Sequence, residues 1–358
     1  MRPRARERTS GRHHQAVFAP GRSFVDTLAQ CRELATEALL ASIPSAGPPH
    51  LYDLVSDYPR RRGKGLRAAL CLAACRAFGG DERRALNLAV AIELFHNGFL
   101  IHDDVQDESV ARRGGWTLHR SHGVGIAVNV GNATNLLAMG RILASRQQLG
   151  AARTRFVVEE TERMMRQTLE GQAIELAWIR NNICDLEPAD YLRMCLKKTS
   201  WYSFIYPMRV GAAVAGAVPG HDEFLQFGWY LGAAFQIQDD ILNLRSDYGK
   251  YGKEVGGDLR EGKRTLMLIR LFDACTGVER RMVEEYLATP RGERTAGAMG
   301  RLRALMDSHE AIDFASRAAR QLSGAALLEG LRVLRSVPDS AAKRFILQMV
   351  MYVVSRDR

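Results

Sequence analysis

The sequence predicts an all-α protein, and three observations support this. Apolar residues recur at intervals of three and four along nearly the whole chain after about residue 22, which is the period of an amphipathic helix. Ala and Leu dominate these stretches, and no alternating series indicates a strand. Pro and Gly collect at the breaks between them. With 358 residues, 46% of them hydrophobic, the chain is long enough to bury one large core.

The helices can be placed in order from this periodicity. They are predicted at Phe24 to Leu40, Leu66 to Phe78, Ala85 to Ile101, Val124 to Leu149, Phe156 to Ile179, Tyr191 to Thr199, Phe224 to Leu244 and Ala342 to Val354. The breaks are Pro44 to Pro49, Gly79-Gly80, Gly114-Gly115, Pro219-Gly220 and Gly249 to Gly262. Pro lacks the amide donor and Gly pays the largest entropy cost in a helix, so both favour turns. We expect one bundle of roughly ten or more helices.

The net charge of +10 is compatible with nucleic acid, an anionic membrane surface or an anionic substrate. Part of it belongs to the N-terminus, where five arginines face one glutamate: Arg2, Arg4, Arg6, Arg8, Arg12 and Glu7. This segment has no apolar run, so it does not fit a secretory signal. We predict a disordered basic arm over residues 1–22 and a single domain over residues 23–358.

Cysteine usage and hydropathy indicate a soluble cytoplasmic protein. Six cysteines occur without a CxxC pair, and Cys71 and Cys75 lie in an apolar stretch, as buried free thiols do. No second Cys or His pair lies at ligand spacing, so no structural zinc site is expected. No apolar run reaches the roughly 18 to 20 residues of a membrane helix, so no membrane insertion is expected.

The first acidic motif is Asp103-Asp104-x-x-Asp107, which follows the apolar segment Glu93 to Ile101. On a helix Asp103 and Asp107 are about 40° apart around the axis and roughly 6 Å apart along it. Like charges so close repel, and a helix C-terminus also disfavours anions. A bound cation would resolve this; a solvated acidic helix end is the alternative interpretation.

A second acidic motif repeats the pattern at Asp239, Asp240 and Asn243, after the apolar segment Tyr230 to Phe235. Two sets of oxygen ligands on facing helices suit hard Mg²⁺, which keeps several waters and takes substrate phosphates as further ligands. Sulfur or imidazole metals fit less well. A shared metal site is therefore favoured over two separate surface patches.

Basic residues accompany these motifs. They are Lys64, Arg67, Arg112, Arg113, Lys198, Lys253 and Lys263. Arg forks and Lys ammonium groups bind phosphate oxygens, so carboxylates, metal and these cations together indicate a diphosphate site. The segment Tyr248 to Thr265 is rich in Gly but lacks the P-loop pattern. It is interpreted either as a lid that brings Lys253 and Lys263 over phosphates or as a flexible connection.

These motifs resemble the trans-isoprenyl diphosphate synthases, or polyprenyl synthetases, over roughly residues 23 to 355. The resemblance rests on Phe99-Leu100-Ile101-His102-Asp103-Asp104-Val105-Gln106-Asp107 with Arg112-Arg113-Gly114 and His119, on Phe235-Gln236-Ile237-Gln238-Asp239-Asp240, and on Gly256-x-Asp258-Leu259-x-Glu261-Gly262-Lys263-x-Thr265-Leu266. It implies an all-helical bundle around a deep central cavity, usually a homodimer. It also implies about three Mg²⁺ ions per active site.

The resemblance implies a role for each matching residue. The expected Mg²⁺ ligands are Asp103, Asp107, Asp239 and Asn243, supported by Asp104 and Asp240. The residues expected to hold the allylic diphosphate are Arg112, Lys198 and Lys263, with Lys253 nearby. The expected isopentenyl diphosphate site consists of Lys64, Arg67, His96 and Arg113. The positions expected beside the reacting allyl group are Thr199 and Gln236.

The implied reaction joins isopentenyl diphosphate to an allylic diphosphate. Metal and basic side chains stabilise the charge as diphosphate leaves, and the isopentenyl double bond then attacks the allylic cation. The sequence departs from the family pattern at four positions. Gly65 stands where Arg is common, Ala68 and Trp116 where Pro is common, and Asn243 where Asp is frequent.

Product length is predicted from the helix that carries the first motif. Phe99 lies four residues before Asp103, roughly 6 Å along the axis, and is expected to act as a floor for the growing chain. Gly98 is expected to leave room beside it. The hypothesis is a product of about 15 to 20 carbons, with geranylgeranyl diphosphate ahead of farnesyl diphosphate. The alternative is that Phe99 is ordinary core.

Two other functions stay open. A class I terpene cyclase, or a prenyltransferase acting on a non-isoprenoid acceptor, also uses an Asp-rich motif in a helical cavity. The second motif of this chain and its candidate isopentenyl cations favour chain elongation instead. A basic nucleic-acid binder would use the +10 charge but leaves two Asp-rich motifs unexplained, since carboxylates repel phosphates without metal.

Overall fold

The computed structural model describes residues 17–61, 63–217, 219–245 and 256–355. The α-helices in this part of the chain are α1 (Phe24–Ser42), α2 (Tyr52–Val55), α3 (Asp57–Arg60), α4 (Leu66–Ala77), α5 (Leu86–Gln106), α6 (Leu118–His122), α7 (Val124–Ala144), α8 (Arg146–Leu149), α9 (Ala151–Arg180), α10 (Pro188–Cys195), α11 (Tyr206–Ala215), α12 (Leu225–Arg245), α13 (Gly257–Glu261), α14 (Leu266–Ala274), α15 (Gly277–Ala288), α16 (Ala296–Ser308), α17 (Ala311–Val333) and α18 (Ala341–Ser355). The other elements are two 3₁₀ turns (Glu82–Ala85 and Arg291–Glu293), a π-helix (Leu196–Ile205) and a hairpin of β1 (Ala111–Arg112) and β2 (Gly115–Trp116). The all-α prediction is confirmed.

Several helices begin where a side chain caps the first turn. The Ser23 hydroxyl accepts a hydrogen bond from the Asp26 amide at the start of α1, and Thr265 does the same for Leu268 in α14. Glu187 and Asp190 form a reciprocal capping box at the start of α10. Each cap satisfies amides that have no partner within the helix.

The helices pack into two contiguous apolar clusters. The larger one includes α1, α4, α5, α7 and α11, and the smaller one lies among α14, α15, α16 and α17. α12 contributes to both clusters, with Leu231 in the first and Ile237 in the second. The two acidic motifs lie at the ends of α5 and α12. One motif is therefore carried by a helix of the larger cluster, and the other by the helix that joins the two clusters.

Glycines let the helices around the site approach closely. A Cβ atom at Gly171 of α9 would collide with the backbone of Lys198 in the π-helix. A Cβ atom at Gly232 of α12 would collide with Ser200 of the same π-helix. The π-helix therefore lies tightly between α9 and α12, which holds Lys198 and Thr199 in place.

Two expectations about chain organisation need correction. The arm predicted over residues 1–22 extends too far, because Phe18 is buried and its ring packs edge-to-face on Phe345 at 5.6 Å. Residues 1–16 lie outside the described part of the chain. The predicted helix Val124 to Leu149 is divided at Ser145 into α7 and α8.

One helical segment passes a length and hydropathy test for a membrane span. It covers Glu82–Gln106, which includes α5, and 61% of its most apolar window is buried inside the protein. Burial of this kind is typical of the central helix of a packed core. The expectation that no apolar stretch is long enough to span a membrane was wrong for this helix. Its apolar character is explained by its burial in the core.

Candidate active site

The three carboxylates of the first motif lie in different surroundings at the end of α5. Asp104 is fully buried, and its carboxylate accepts hydrogen bonds from Arg112 Nε at 2.8 Å and Tyr58 Oη at 2.5 Å. Asp103 is half-buried and Asp107 is buried. Asp104 therefore supports the site from the interior, while Asp103 and Asp107 contact lysines from other parts of the chain.

Asp107 has a perturbed acidity. Burial, and then the neighbouring Asp103 charge, raise its pKa to about 8, although Lys263 opposes this. Lys263 Nζ donates to Asp107 Oδ2 at 2.7 Å and also lies 2.8 Å from Glu261 and 3.5 Å from Asp258. Because Asp258 and Glu261 belong to α13, Lys263 links the first motif to the segment after the second motif.

Lys198 approaches the first motif from the π-helix. Its ammonium lies 3.5 Å from Asp103 Oδ1 and also forms an ion pair with Glu175 of α9. Burial by itself lowers the pKa of Lys198, but Glu175 and then Asp103 raise it above its ordinary value, so the group stays charged. A π-helix is rare and often marks a functional site.

The second motif is held by one hydrogen bond from α10 and one from within α12. Asp240 accepts from Tyr191 Oη at 2.7 Å and from Gln236 Nε2 at 2.8 Å. Thr199 donates to Gln236 Oε1 at 2.7 Å, so the predicted allyl-side pair is in direct contact. Burial, and then the charge of Asp258, raise the pKa of Asp240.

Asn243 lies one turn beyond Asp239 and Asp240 and is buried. Its side-chain oxygen accepts a hydrogen bond from the Asp258 amide at 3.1 Å, and its carbonyl accepts one from the Gly256 amide at 2.9 Å. Asn243 thus anchors the start of α13. Together with Asp107, Asp258 and Lys263, it also lines a cleft.

The hairpin after α5 directs two adjacent arginines to opposite sides. Arg113 and Gly114 have φ values of 50° and 75°, as a two-residue type I′ turn requires. Arg112 donates to Asp104 and lies 3.6 Å from Asp103. Arg113 instead donates to the carbonyl of Tyr58 at 2.8 Å and to Asn97 Oδ1 at 3.3 Å.

Arg113 belongs to a second cationic cluster with Arg67 and His96. Arg67 Nη1 and Arg113 Nη2 lie 3.3 Å and 3.5 Å from His96 Nε2. Arg67 also donates to Tyr202 Oη and to Ser203 Oγ, each at 2.8 Å. Burial, opposed in part by Glu93, and then the charges of Arg112 and Arg67 lower the pKa of Arg113 to about 10. An anionic ligand would relieve this concentration of positive charge.

Three of the departures have local explanations. Gly65 has a φ of 69°, and an added Cβ would lie 2.8 Å from the Arg32 side chain, so this backbone cannot carry an Arg without strain. The Ala68 amide donates to Glu93 Oε1 at 3.2 Å, which a Pro could not do. Trp116 is 61% exposed on β2, away from the buried part of the site.

The two chain-length positions face different neighbours. Phe99 is half-buried, with its ring edge-to-face with Tyr202 at 5.5 Å and stacked with Phe95 at 6.4 Å. Gly98 faces α7, where an added Cβ would clash with Asn135. The missing side chain at Gly98 therefore permits close packing of α5 on α7, and the space beside it is already filled.

Sequence reasoning missed several residues that hold the site. They are Tyr58, Gln172, Glu175, Tyr191, Asp258 and Glu261, which contact the predicted carboxylates or lysines. Only Asp258 and Glu261 had a signal, since both belong to the downstream motif. Lys64 is half-buried just before α4, and Asp239 is half-buried beside Asp240. Lys253 lies outside the described residues.

Comparison with known proteins gives a consistent result. Residues 48–301 match the family model described as polyprenyl synthetase. A geranylgeranyl pyrophosphate synthase of Geoglobus acetivorans is 29% identical over 331 residues, which cover 91% of this chain and 97% of that protein. An octaprenyl diphosphate synthase of Escherichia coli is 30% identical over 297 residues, covering 83% and 87%.

A solved structure agrees with the fold. The polyprenyl synthase of Caulobacter crescentus, complexed with calcium and isoprenyl diphosphate, matches with a TM-score of 0.82 and 26% sequence identity. The match covers 94% of this chain and 98% of that one. The family match spans both acidic motifs and the hairpin.

Proposed function

Because the chain belongs to the polyprenyl synthetase family, we propose that it condenses isopentenyl diphosphate with an allylic diphosphate to a trans-prenyl diphosphate of about 15 to 20 carbons. Geranylgeranyl diphosphate is its expected main product. The observation that carries the proposal is that two adjacent arginines lie in two different groups of side chains. Arg112 contacts the first acidic motif, whereas Arg113 belongs to the cationic cluster with Arg67 and His96. A reaction between two diphosphates needs two such sites.

The residues of the two acidic motifs fit Mg²⁺ by their chemistry. Every donor is a carboxylate or amide oxygen, and the pKa of Asp107 is raised by burial and by Asp103, a repulsion that a divalent cation relieves. Asp103, Asp107, Asp239 and Asn243 would hold the metal. Bound Mg²⁺ supplies Lewis-acid stabilisation of the negative charge that develops on the departing diphosphate.

The side chains around the cleft bind the allylic diphosphate and orient polar atoms beside its allyl group. Arg112, Lys198 and Lys263 bind the allylic diphosphate, which requires Lys263 to exchange its contact with Asp107 for a phosphate oxygen. The hydrogen-bonded pair of Thr199 and Gln236 orients its polar atoms beside the allyl group. Preorganised dipoles and charges of this kind stabilise a developing cation without reorganisation.

The second substrate is bound by the other cation set. Lys64, Arg67, His96 and Arg113 hold the diphosphate of isopentenyl diphosphate, and because Arg67 is buried and the other three are half-buried, the attraction is stronger than in water. Arg67 is fixed by Tyr202 and Ser203, so the isopentenyl double bond can be presented in one orientation. Such positioning converts a bimolecular step into an effectively unimolecular one.

Mass analysis of products tests the proposal directly. Purified enzyme with Mg²⁺ and isopentenyl diphosphate is incubated in turn with dimethylallyl, geranyl and farnesyl diphosphate. We expect each primer to be extended to geranylgeranyl diphosphate. A cyclic product or an alcohol formed without isopentenyl diphosphate would instead support a terpene cyclase, the alternative function.

Product length is proposed to depend on Phe99. His96, Phe99 and Asp103 lie on one face of α5 and all are half-buried, so Phe99 lies along the helix between a residue of each proposed substrate site. Its ring stacks on the buried Phe95. We expect Phe99→Ala to lengthen the main product by one or more isoprene units. The matched control is Leu100→Ala, which removes a half-buried apolar side chain about 100° around the same helix. Unchanged product length in Phe99→Ala would make Phe99 ordinary core.

The active form is proposed to be a homodimer. Exposed apolar side chains follow one face of α7 at Val124, Val128, Leu136 and Leu143. At 100° per residue they fall within an arc of about 120°, which forms a continuous stripe. An exposed apolar stripe of this length is typical of an association surface.

The protein is proposed to be cytoplasmic, where a reducing environment keeps thiols free. All six of its cysteines are free, which fits this proposal.

A further inference from the structure

A group of metal-binding side chains lies in the C-terminal half, apart from the cleft. Among the residues that the structure describes, Cys275, Glu279 and His309 place one ligand atom each within 4.8 Å of the other two. Cys275 follows α14, Glu279 lies in the first turn of α15, and His309 follows α16. None of the three takes part in the diphosphate chemistry proposed above.

The cluster combines one buried and two accessible groups. Cys275 is 2% exposed, whereas the side chains of His309 and Glu279 are 25% and 44% exposed. His309 Nε2 lies 2.9 Å from Glu279 Oε2. The three groups therefore converge on a point that solvent can reach from one side.

The separations are close to those of a tetrahedral zinc site. Zn–S bonds of about 2.3 Å and Zn–N and Zn–O bonds of about 2.0 to 2.2 Å place neighbouring ligand atoms about 3.3 to 3.6 Å apart. The 2.9 Å separation of His309 from Glu279 is shorter than this range, and the 4.8 Å limit on the other separations exceeds it by about 1.2 Å, so shifts of about that size or less would suffice. Glu279 and His309 are partly exposed side chains and can make such shifts.

We propose that Cys275, Glu279 and His309 form a binding site for Zn²⁺, or a divalent ion of similar softness, with water as the fourth ligand. The ion would tie the start of α15 to the end of α16. Thiolate, imidazole and carboxylate together are ligands for a borderline-soft metal and do not suit Mg²⁺. The site would therefore bind Zn²⁺ in preference to Mg²⁺, even at the Mg²⁺ concentration that the proposed reaction needs.

The charges at the site are consistent with a divalent ion. A coordinated metal favours the thiolate, whose proton passes to solvent, and the thiolate and carboxylate charges then balance the dication. Arg280, the nearby cation, donates to Glu284 at 3.2 Å and leaves Glu279 available.

Cobalt binding tests the site. The intact chain is titrated with Co²⁺ in saturating Mg²⁺, which occupies the oxygen ligands of the acidic motifs. We expect one equivalent of Co²⁺ to produce a thiolate-to-metal charge-transfer band, and an equimolar amount of Zn²⁺ to remove it. Cys275→Ser should lose the band, whereas Cys184→Ser, which alters a half-buried free thiol elsewhere, should keep it.

A second variant separates metal binding from simple packing. His309→Gln can keep a hydrogen bond to Glu279 but removes the imidazole ligand, so we expect Co²⁺ affinity to fall at least about tenfold. Turnover with Mg²⁺ should stay within about twofold of wild type in each variant, because these residues lie outside the substrate sites. If Cys275→Ser loses turnover, its structure has changed and the missing band is not informative. The Co²⁺ affinity of His309→Gln then tests the proposal by itself. Absence of the band in wild type, or its survival in either Cys275→Ser or His309→Gln at unchanged affinity, overturns the proposal.

Discussion

At the scale of single residues, three carboxylates that look equivalent in Asp103-Asp104-x-x-Asp107 have different tasks. Asp104 is enclosed by Arg112 and Tyr58 and forms part of the interior. Asp103 lies between Lys198 and Arg112 at distances of 3.5 Å and 3.6 Å and remains accessible. Asp107 is buried beside Lys263. Substitutions should therefore separate catalysis from folding within one motif.

The first prediction compares Asp103→Ala with Asp104→Ala. Asp103→Ala should reduce kcat at least about 100-fold because it removes a proposed Mg²⁺ ligand, while relieving repulsion with Asp107. Asp104→Ala leaves the buried Arg112 without its partner and should lower the free energy of unfolding by about 3 to 5 kcal/mol. Denaturant unfolding and single-turnover kinetics measure both effects. Equal destabilisation by the two substitutions would contradict the different tasks assigned to them.

The second prediction concerns pH and Asp107. Its pKa is raised from the ordinary 3.8 to about 8 by burial and by Asp103. The folded state therefore binds the proton more tightly than the unfolded state, and this contribution to stability is lost as the pH rises between these values. In Mg²⁺-free buffer the Tm should fall across this range more steeply for wild type than for Asp107→Asn.

Magnesium should change that dependence. Because Mg²⁺ competes with the proton for the carboxylate, the Tm increase on adding Mg²⁺ should be larger at about pH 8 than at about pH 5. Asp107→Asn serves as the control, since its amide does not titrate. A Mg²⁺-induced shift that is independent of pH would argue against Asp107 as a ligand.

At the scale of elements, the short hairpin after α5 determines the directions of the Arg112 and Arg113 side chains. Its register pairs Arg112 with Gly115 and Ala111 with Trp116, which leaves Arg113 and Gly114 as the two turn residues. Both have positive φ, and for Arg113 this is a strained backbone that the surrounding contacts maintain. The turn directs Arg112 to Asp104 and Arg113 to Tyr58 and Asn97, and so separates the two arginines that are proposed to bind different diphosphates.

The third prediction tests this turn with Gly114→Ala. Its φ of 75° is unfavourable for Ala by about 1 to 2 kcal/mol, although no atom lies near the added Cβ. We expect both diphosphate KM values to rise at least about fivefold, because the turn positions both arginines. Steady-state kinetics with each substrate varied in turn provides the measurement.

Gly324→Ala is the matched control for the turn. Gly324 also has open space around its Cβ position but lies within α17, where Ala is favoured over Gly by about 0.5 to 1 kcal/mol. This variant should be at least as stable as wild type and should keep both KM values. A similar loss in the two variants would mean that the backbone conformation of Gly114 is not the cause.

At the scale of the whole molecule, the site is assembled from two parts of the chain. Asp107 and Lys263 are 156 residues apart in sequence, and Asp103 and Lys198 are 95 apart. α12 contributes to both apolar clusters, and glycines in α9 and α12 let the π-helix lie between them. This close packing fixes the distances between the carboxylates and the cations.

The fourth prediction concerns association of whole molecules. Leu136→Glu places a charge in the middle of the exposed stripe on α7 and should convert a homodimer to a monomer of 39.9 kDa. Light scattering coupled to gel filtration reports the mass. The control is Leu328→Glu on α17, which is exposed to a similar extent but lies outside the stripe. A wild-type protein that is monomeric at micromolar concentration would contradict the proposed dimer.

The sequence by itself predicted the features that depend on near neighbours along the chain. Helix periodicity placed α1, α4, α5, α9, α12 and α18, and the four-residue spacing of Asp103 and Asp107 predicted their common face. α11 has no visible period because residues on all its faces are buried, so its pattern is uniformly apolar. The hairpin was too short to give an alternating series.

Tertiary structure decided the rest, because side-chain partners depend on distances that sequence spacing does not encode. It gave Asp104 an internal role, paired Lys198 with Glu175, and turned Gly98 toward α7. It also brought Cys275 to His309, although no ligand spacing along the chain had indicated a zinc site. A local motif specifies which chemistry is available, whereas the packing of distant helices determines which groups meet and are desolvated.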